Sequence, residues 1–399
     1  MTSAPRTARV ATVRCRSYEL VEVRAAVRRC TEALPELQER FDAAESVLLK
    51  PNLLSSSRGP DKHVNTHPAL VRALAEMLIA EFGCRVAVGD SCGTLTEGST
   101  AAAIRISGME EVCRQTGASL YNVDMQPRRT EAFDRGELYR NIPLPANLAD
   151  FDLIVSVAKL KTHSLTGVTG PVKNIFGLVP GAGKKHGHLL APRADRFAAL
   201  LCDLYDRIRP RAAFVDGVIG MEGRGPANGA LKRADLIAAS ADPVALDSFC
   251  AQVMGFDPLV VPLLARCHER ELGVADPRCI EVIGEAAESF TPGGFVRPPT
   301  YLSGLTLRLL PGWVFRGLFG ALTTRYARVN QEKCVRCGQC ALNCPSKAIS
   351  REEGSGNYVV DRRKCISCYC CAEVCPADAI DIVPARLLRA LRRVRRPFG

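Results

Sequence analysis

A chain of 399 residues exceeds one ordinary domain and leaves ample length for a large buried core. Composition is globular, with 47% hydrophobic residues, and no unbroken apolar stretch of about 18 residues predicts a membrane-spanning helix. The net charge of +11 is concentrated in Arg308, Arg316, Arg325 and Arg328 and in Arg386, Arg389, Arg392, Arg393, Arg395 and Arg396; the rest is left near +1, which argues against a generic nucleic-acid surface.

In chain order, strands are predicted over Val47–Lys50, Val86–Gly89, Leu153–Val157, Ala212–Val215 and Leu236–Ser240. Helices are predicted over His67–Glu81, Met109–Gln115, Arg196–Arg209, Val244–Met254 and Leu259–Glu271. Strands alternating with helices imply an α/β domain over residues 1–290, a mostly parallel sheet flanked by helices. A polar group follows almost every strand: Lys50 and Asn52, then Asp90 and Ser91, then Lys159, Lys161 and His163, then Asp216, then Asp242. In open α/β sheets the carboxyl ends of the strands form the ligand crevice. Asp90, Asp216 and Asp242 equally suit helix caps and turns. Lysine and histidine are poor cappers, so Lys50, Lys159, Lys161 and His163 point to a site.

The densest polar stretch, Lys159–His188, holds six glycines, five lysines and the histidines His163, His186 and His188. Glycine lets a backbone approach a ligand, and lysine supplies point charges for carboxylate or phosphate. The spacing from Gly177 to Gly183 is one residue too long for a phosphate loop, and Lys185 stands where a magnesium-binding hydroxyl belongs. No GxGxxG is present, so a nicotinamide or flavin site of that kind is not indicated. The histidines lack metal-site spacing and suit anion binding or proton donation better. A second glycine-rich loop, Asp216–Asn228, carries Glu222, Arg224 and Asn228 and reads as a ligand loop or a decorated turn.

Residues 291–330 read as a connector, with Trp313, Phe315 and Phe319 on an apolar, basic stretch that suits a linker or an interfacial helix. Residues 331–383 then hold two cysteine runs: Cys334, Cys337, Cys340 and Cys344, and Cys365, Cys368, Cys371 and Cys375, each of the form CxxCxxCxxxCP. That is the bacterial ferredoxin pattern for two [4Fe–4S] clusters, in which the fourth cysteine of each run ligates the other cluster. Cys334, Cys337, Cys340 and Cys375 are therefore assigned to one cluster, and Cys365, Cys368, Cys371 and Cys344 to the second. Zinc ribbons use paired CxxC units instead. Cys370 lies outside the ligand spacing and reads as a small buried residue. Nine further cysteines without ligand spacing, and no apolar leader after Met1, suit a reducing cytoplasm. The arginine-rich tail, 384–399, places Leu387, Leu388, Leu391 and Val394 at helical spacing and suits an acidic protein, an anionic membrane surface or a docked helix.

In one order, the phrases KPNL, THPALVRAL, VAVGDS, KLKTH, TGPVKNIFGLVPG, VDGVIGMEGRGP and ADPVALD resemble the domain of unknown function family 362, over roughly residues 45–285. Members often carry a C-terminal two-cluster module. The resemblance implies an α/β cytoplasmic iron–sulfur protein whose motif residues gather at one site. The matching positions are Lys50, Asn52, Asp90, Lys161, His163, Lys173, Asn174, Asp216, Glu222 and Asp247. Residue chemistry assigns catalysis to Lys161, His163, Lys173, Asp216 and Glu222, and cofactor or ligand binding to Lys50, Asn52, Asp90 and Asn174. The expected function is an iron–sulfur oxidoreductase. Electrons would come from a ferredoxin-like donor and pass through two [4Fe–4S] clusters to a small anionic ligand in the α/β domain. The alternative is a non-catalytic electron-transfer protein with a ligand- or partner-binding domain. Localisation is expected to be cytoplasmic or peripheral at a membrane.

Overall fold

The computed structural model describes residues 6–300, apart from Leu95, Glu97 and Pro292, and residues 325–384. Trp313, Phe315, Phe319, most of the predicted connector and nearly all of the arginine tail lie outside the described residues.

The α/β domain contributes β1 (Ala8–Arg14), β2 (Ser46–Pro51), β3 (Arg85–Asp90), β4 (Ser119–Asn122), the side hairpin β5 (Arg128–Ala132) and β6 (Asn141–Pro145), then β7 (Leu153–His163), β8 (Gly167–Thr169), β9 (Ala212–Glu222), β10 (Ala230–Ser240) and β11 (Ile280–Ile283). Its helices are α1 (Leu20–Glu32), α2 (Pro35–Asp42), α3 (Pro68–Ala80), α4 (Ser99–Ile106), α5 (Met109–Thr116), α6 (Pro171–Asn174), α7 (Gly181–Leu190), α8 (Ala194–Ile208), α9 (Pro243–Val253), α10 (Pro262–Glu269) and α11 (Ala287–Phe290). The main sheet runs β11-β1-β10-β9-β7-β2-β3-β4, with β8 paired to β7. The pairs β9–β7, β7–β2, β2–β3, β3–β4 and β1–β11 are parallel; β1–β10, β10–β9 and β7–β8 are antiparallel. The mostly parallel α/β sheet expected from the sequence is thus present, with an antiparallel excursion through β10.

Both faces of the sheet are covered. Leu48 packs into one core with residues of α8, α9 and α10, while Val47 and Leu49 pack into the other with α1, α3 and α5. That double burial explains why the central strands read as continuous apolar runs. Sequence punctuation sets the helix starts. Pro243 occupies the first turn of α9, and the Asp242 carboxylate accepts from Val244 N and Ala245 N. The cap reading of Asp242 therefore holds.

The C-terminal module has β12 (Arg325–Val329), α12 (Gln339–Leu342), β13 (Ile349–Arg351), β14 (Tyr358–Val360), α13 (Cys370–Glu373) and β15 (Ile380–Pro384). Antiparallel pairs β12–β15 and β13–β14 enclose a small core with the cysteines. Its first strand takes in residues that the sequence reading gave to the connector, because β12 has a partner 50 residues away that local pattern does not reveal.

Candidate functional site

The cysteine runs fold as two copies of one loop. Arg336, Gly338 and Lys347 have φ of 57°, 75° and 51°; Ser367, Tyr369 and Asp378 have φ of 57°, 65° and 47° at the matching positions of the second copy. Glycine takes this left-handed conformation freely, whereas Tyr369 does so at a cost. Burial holds it there, with its hydroxyl donating to Arg325 O at 3.2 Å. In both copies the backbone N–H four residues after the last cysteine donates to its sulfur: Ala348 to Cys344 at 3.1 Å and Ala379 to Cys375 at 3.2 Å. Such contacts tune the potential of a bound cluster.

Thiols of one run influence the acidity of thiols in the other. Burial, then Cys375, Cys334 and Cys337, raise the Cys340 thiol to about 11. Cys371 is raised by burial, then by Cys368, Cys365 and Cys344, and more weakly by Cys340. No group of three or more metal-binding side chains is assembled among the described residues, so the division of the eight thiols between two clusters rests on the ferredoxin spacing. Cys370 is buried beside Cys368 and belongs to neither set. Of the eight assigned cysteines, Cys337 is the exposed one.

The second run also closes a cavity of about 80 Å³ against the α/β domain. Cys370, Glu373 and Val374 form one wall; Asn52, Asp90, Lys159, His163, Lys173, Asn174, Lys184 and His188 are the polar groups opposite. At roughly 10–15 Å³ per water on this measure, the space suits a few waters or a small anion.

Buried ion pairs support the cavity. Lys50 Nζ lies 2.8 Å from Asp90 Oδ1 and donates to Asn174 Oδ1 at 3.1 Å. Burial draws the Lys50 ammonium down to about 8, although Asp90 opposes the shift. Gly177 permits this packing, since a Cβ there would lie 1.8 Å from Asp90 Oδ1 and 2.7 Å from Lys50 Nζ. Lys159 Nζ lies 2.8 Å from Asp216 Oδ2 and donates to the Tyr18 hydroxyl at 2.8 Å, which donates onward to Asp216 Oδ1 at 2.7 Å. Lys184 Nζ donates to Ser91 O at 2.7 Å and Cys92 O at 3.0 Å. Among the described residues, the Lys173 ammonium forms no hydrogen bond and no ion pair.

Two histidines face the same space. His163 Nδ1 accepts from Leu165 N at 3.0 Å and Thr166 N at 3.3 Å, so the ring proton sits on Nε2, 3.2 Å from Glu373 Oε1. Burial, reinforced by Lys173, draws His163 down to about 4 and keeps it neutral at physiological pH. Burial opposes the Glu373 charge, but the polar Nε2–H of His163 and the Lys173 ammonium outweigh it and lower the carboxyl's pKa. His188 stacks on Phe197 at 4.7 Å, and its buried Nδ1 has no hydrogen-bond partner among the described residues.

Comparison with known proteins fits this arrangement. The family model for the domain of unknown function DUF362 matches residues 47–252, just over half of the chain, and a 4Fe-4S dicluster domain matches residues 327–382. The chain belongs to the DUF362 family. It is 30% identical over 257 residues to a thylakoid-associated protein of Synechocystis sp., covering 64% of this chain and 77% of that relative. A lactate racemase apoprotein from Thermoanaerobacterium thermosaccharolyticum aligns with a TM-score of 0.40 and 11% identity, over 63% of this chain and 59% of that one. The dicluster domain makes this DUF362 member an iron–sulfur protein with an electron-transfer module.

The DUF362 domain keeps much of its polar chemistry inside strands. Lys159, Lys161 and His163 lie within β7, and Asp216 and Glu222 within β9, not in the loops expected after shorter strands. Ion pairing and backbone acceptors let these side chains stay buried without ending the strands. Of the residues expected to act together, His163, Lys173, Asn52, Asp90 and Asn174 line the cavity, and Lys50 supports it from behind. Three do not reach it. Lys161 Nζ donates to Val64 O at 2.8 Å, Asp216 is held by Lys159, and Glu222 lies 3.5 Å from Lys232 and accepts from Val296 N at 2.9 Å. Asp247 caps α6 by accepting from Val172 N at 2.9 Å. His186 is exposed.

The loop read as a ligand loop instead docks the ferredoxin module. Arg224 pairs with Asp378 at 2.8 Å and donates to Ile380 O at 2.9 Å, while Asn228 Nδ2 donates to Ala372 O at 2.7 Å. Arg58 bridges Asn228 Oδ1 at 2.6 Å and Cys375 O at 3.1 Å. Tyr18, Lys184 and Glu373 were not singled out from the sequence, whereas His188 was named among the candidate anion-binding or proton-donating histidines. Lys184 and His188 were visible in the lysine- and glycine-rich stretch. Tyr18 and Glu373 lie far from it in sequence and carried no local signal.

Proposed function

We propose that the protein is an iron–sulfur reductase acting on a small anion bound in the cavity between the DUF362 domain and the ferredoxin module. One observation carries this reading: Cys370 and Glu373, neighbours of the ligand cysteines Cys368 and Cys371, are themselves part of the cavity wall. Clusters bound at the two crossed thiol sets would supply electrons one at a time. The chain's own residues do the remainder. Lys173 attracts the anion with an ammonium that makes no hydrogen bond and no close ion pair among the described residues. His163 presents its Nε2–H as a neutral hydrogen-bond donor where negative charge develops. The docked interface limits water, which strengthens both effects. Fusion of the module to the site replaces a bimolecular encounter with a fixed one.

In this reading a ferredoxin-like one-electron carrier is the donor, meeting the exposed Cys337 beside Val335 and Arg336. Two such deliveries, with two protons taken from solvent, convert the bound ligand to its reduced form. The thylakoid association of the relative supports a place at a membrane surface, for which the arginine tail is suited. The test is anaerobic reduction of the full chain, removal of the reductant, and addition of small organic and inorganic acids one at a time. One acid is expected to reoxidise the wild type at least about tenfold faster than background, a barrier change of roughly 1.4 kcal/mol. Lys173→Met should remove the acceleration. Equal rates in both proteins would mark the chain as a relay without a substrate.

A further inference from the structure

The Glu373 carboxylate comes from the ferredoxin module yet sits in a pocket of cations in the DUF362 domain. It faces His163 Nε2 at 3.2 Å, but its buried Oε1 is not aligned for a hydrogen bond. The Lys173 ammonium beside it forms no hydrogen bond among the described residues, and the buried His188 Nδ1 has no partner there either. One ammonium, one buried imidazole nitrogen and one carboxylate therefore share a small cavity without forming hydrogen bonds to one another. Buried polar groups are normally satisfied, and charged ones strongly so. The mismatch is what a ligand cradle shows when a neighbouring side chain fills it loosely.

We propose that this cavity is a carboxylate-binding site, that Glu373 occupies it as an internal stand-in, and that a small monocarboxylate displaces Glu373 on binding. The chemical class follows from the lining. A cavity of about 80 Å³ admits a short chain and no nucleotide. Lys173 is the ammonium without a close partner once Glu373 moves away, so one negative charge is answered and a second is not. A flat, two-oxygen head can bridge Lys173 and His163 Nε2–H, while Leu53, Leu54, Phe176 and Val374 offer apolar surface to a short carbon chain. Glu373 follows the cluster cysteine Cys371 by two residues, so its displacement shifts the loop around the second thiol set.

This inference rests on the proposed anion site but not on electron delivery, and its test uses no turnover. Acetate is titrated calorimetrically into the anaerobically loaded, oxidised full chain, with sulfate as the comparison anion. Glu373→Ala and Glu373→Gln are expected to bind acetate at least tenfold more tightly than wild type, and Lys173→Met at least tenfold more weakly. Unchanged or weaker acetate binding in the Glu373 variants, with iron content retained, overturns the stand-in. Sulfate binding as tightly as acetate overturns the carboxylate assignment. If both Glu373 variants lose iron, the wild type decides. A saturable change in the reduced-cluster EPR signal with acetate supports the displacement, and an unchanged signal refutes it. Acetate binding without reoxidation by any acid would sink the reductase and leave this site standing.

Discussion

At the scale of single residues, the site is defined by charges kept inside the protein. Lys50 and Asp90 are 2.8 Å apart and almost fully buried, with side-chain exposures of 0% and 4%. Removing one partner strands the other: Lys50→Met is expected to cost about 3–5 kcal/mol in urea unfolding, and adding Asp90→Asn should recover much of the loss. A second residue gives a pH signature. Burial, with Asp242 adding to it, raises the Asp247 carboxyl to about 8, above its value of about 3.9 in an unfolded chain. The folded state therefore holds this proton more tightly. The group's stabilising effect is complete below about pH 4 and is lost as pH rises toward about 8, by up to roughly 1.4 kcal/mol per pH unit. Asp247→Asn keeps an acceptor for Val172 N and should flatten that part of the pH profile. An unchanged profile in the variant would show that Asp247 is ionised in the fold.

At the scale of elements, legibility followed the length of the local signal. The strands around Leu48, Val88 and Val155 and the helix carrying Leu70, Leu74 and Met77 were readable, because burial on one or both faces imposes a local pattern. The inward ends of β7 and β9 were not. Lys159 and Asp216 look like strand terminators singly and behave as strand residues only as a pair, a fact that lies 57 positions apart in the sequence. The Asp216–Asn228 loop stayed open between a ligand loop and a decorated turn for a similar reason: Arg224 and Asn228 have ligand-like chemistry, but their partners, Asp378 and Ala372, are in the other module. The double variant Arg224→Ala and Asn228→Ala is expected to remove about 2–3 kcal/mol of docking, with iron retained. Hydrogen exchange should then rise along β9 and α13 together. Protection equal to wild type would show that these contacts do not hold the module.

At the scale of the whole molecule, the cysteine runs announced the redox module because ligand spacing is itself a local signal. The cavity needed the fold, since its two walls belong to different domains. Eight crossed thiols predict about eight irons and eight labile sulfides per chain after anaerobic reconstitution. Cys344→Ala should damage the cluster assigned to Cys365, Cys368 and Cys371 and spare that of its own run, read by EPR of the reduced protein. Truncation after Pro384 should leave the melting temperature unchanged while weakening retention on anionic vesicles in a salt-dependent way. A clear drop in melting temperature would make the tail structural. The central claim, electron delivery to an anion in the interdomain cavity, is tested most directly by mass spectrometry of small molecules released from anaerobically isolated protein before and after a one-electron carrier reduces it. The account predicts a small acid held by the wild type, absent from Lys173→Met, and recovered in reduced form after electron delivery. An acid recovered unchanged after reduction, or held equally by Lys173→Met, would contradict it.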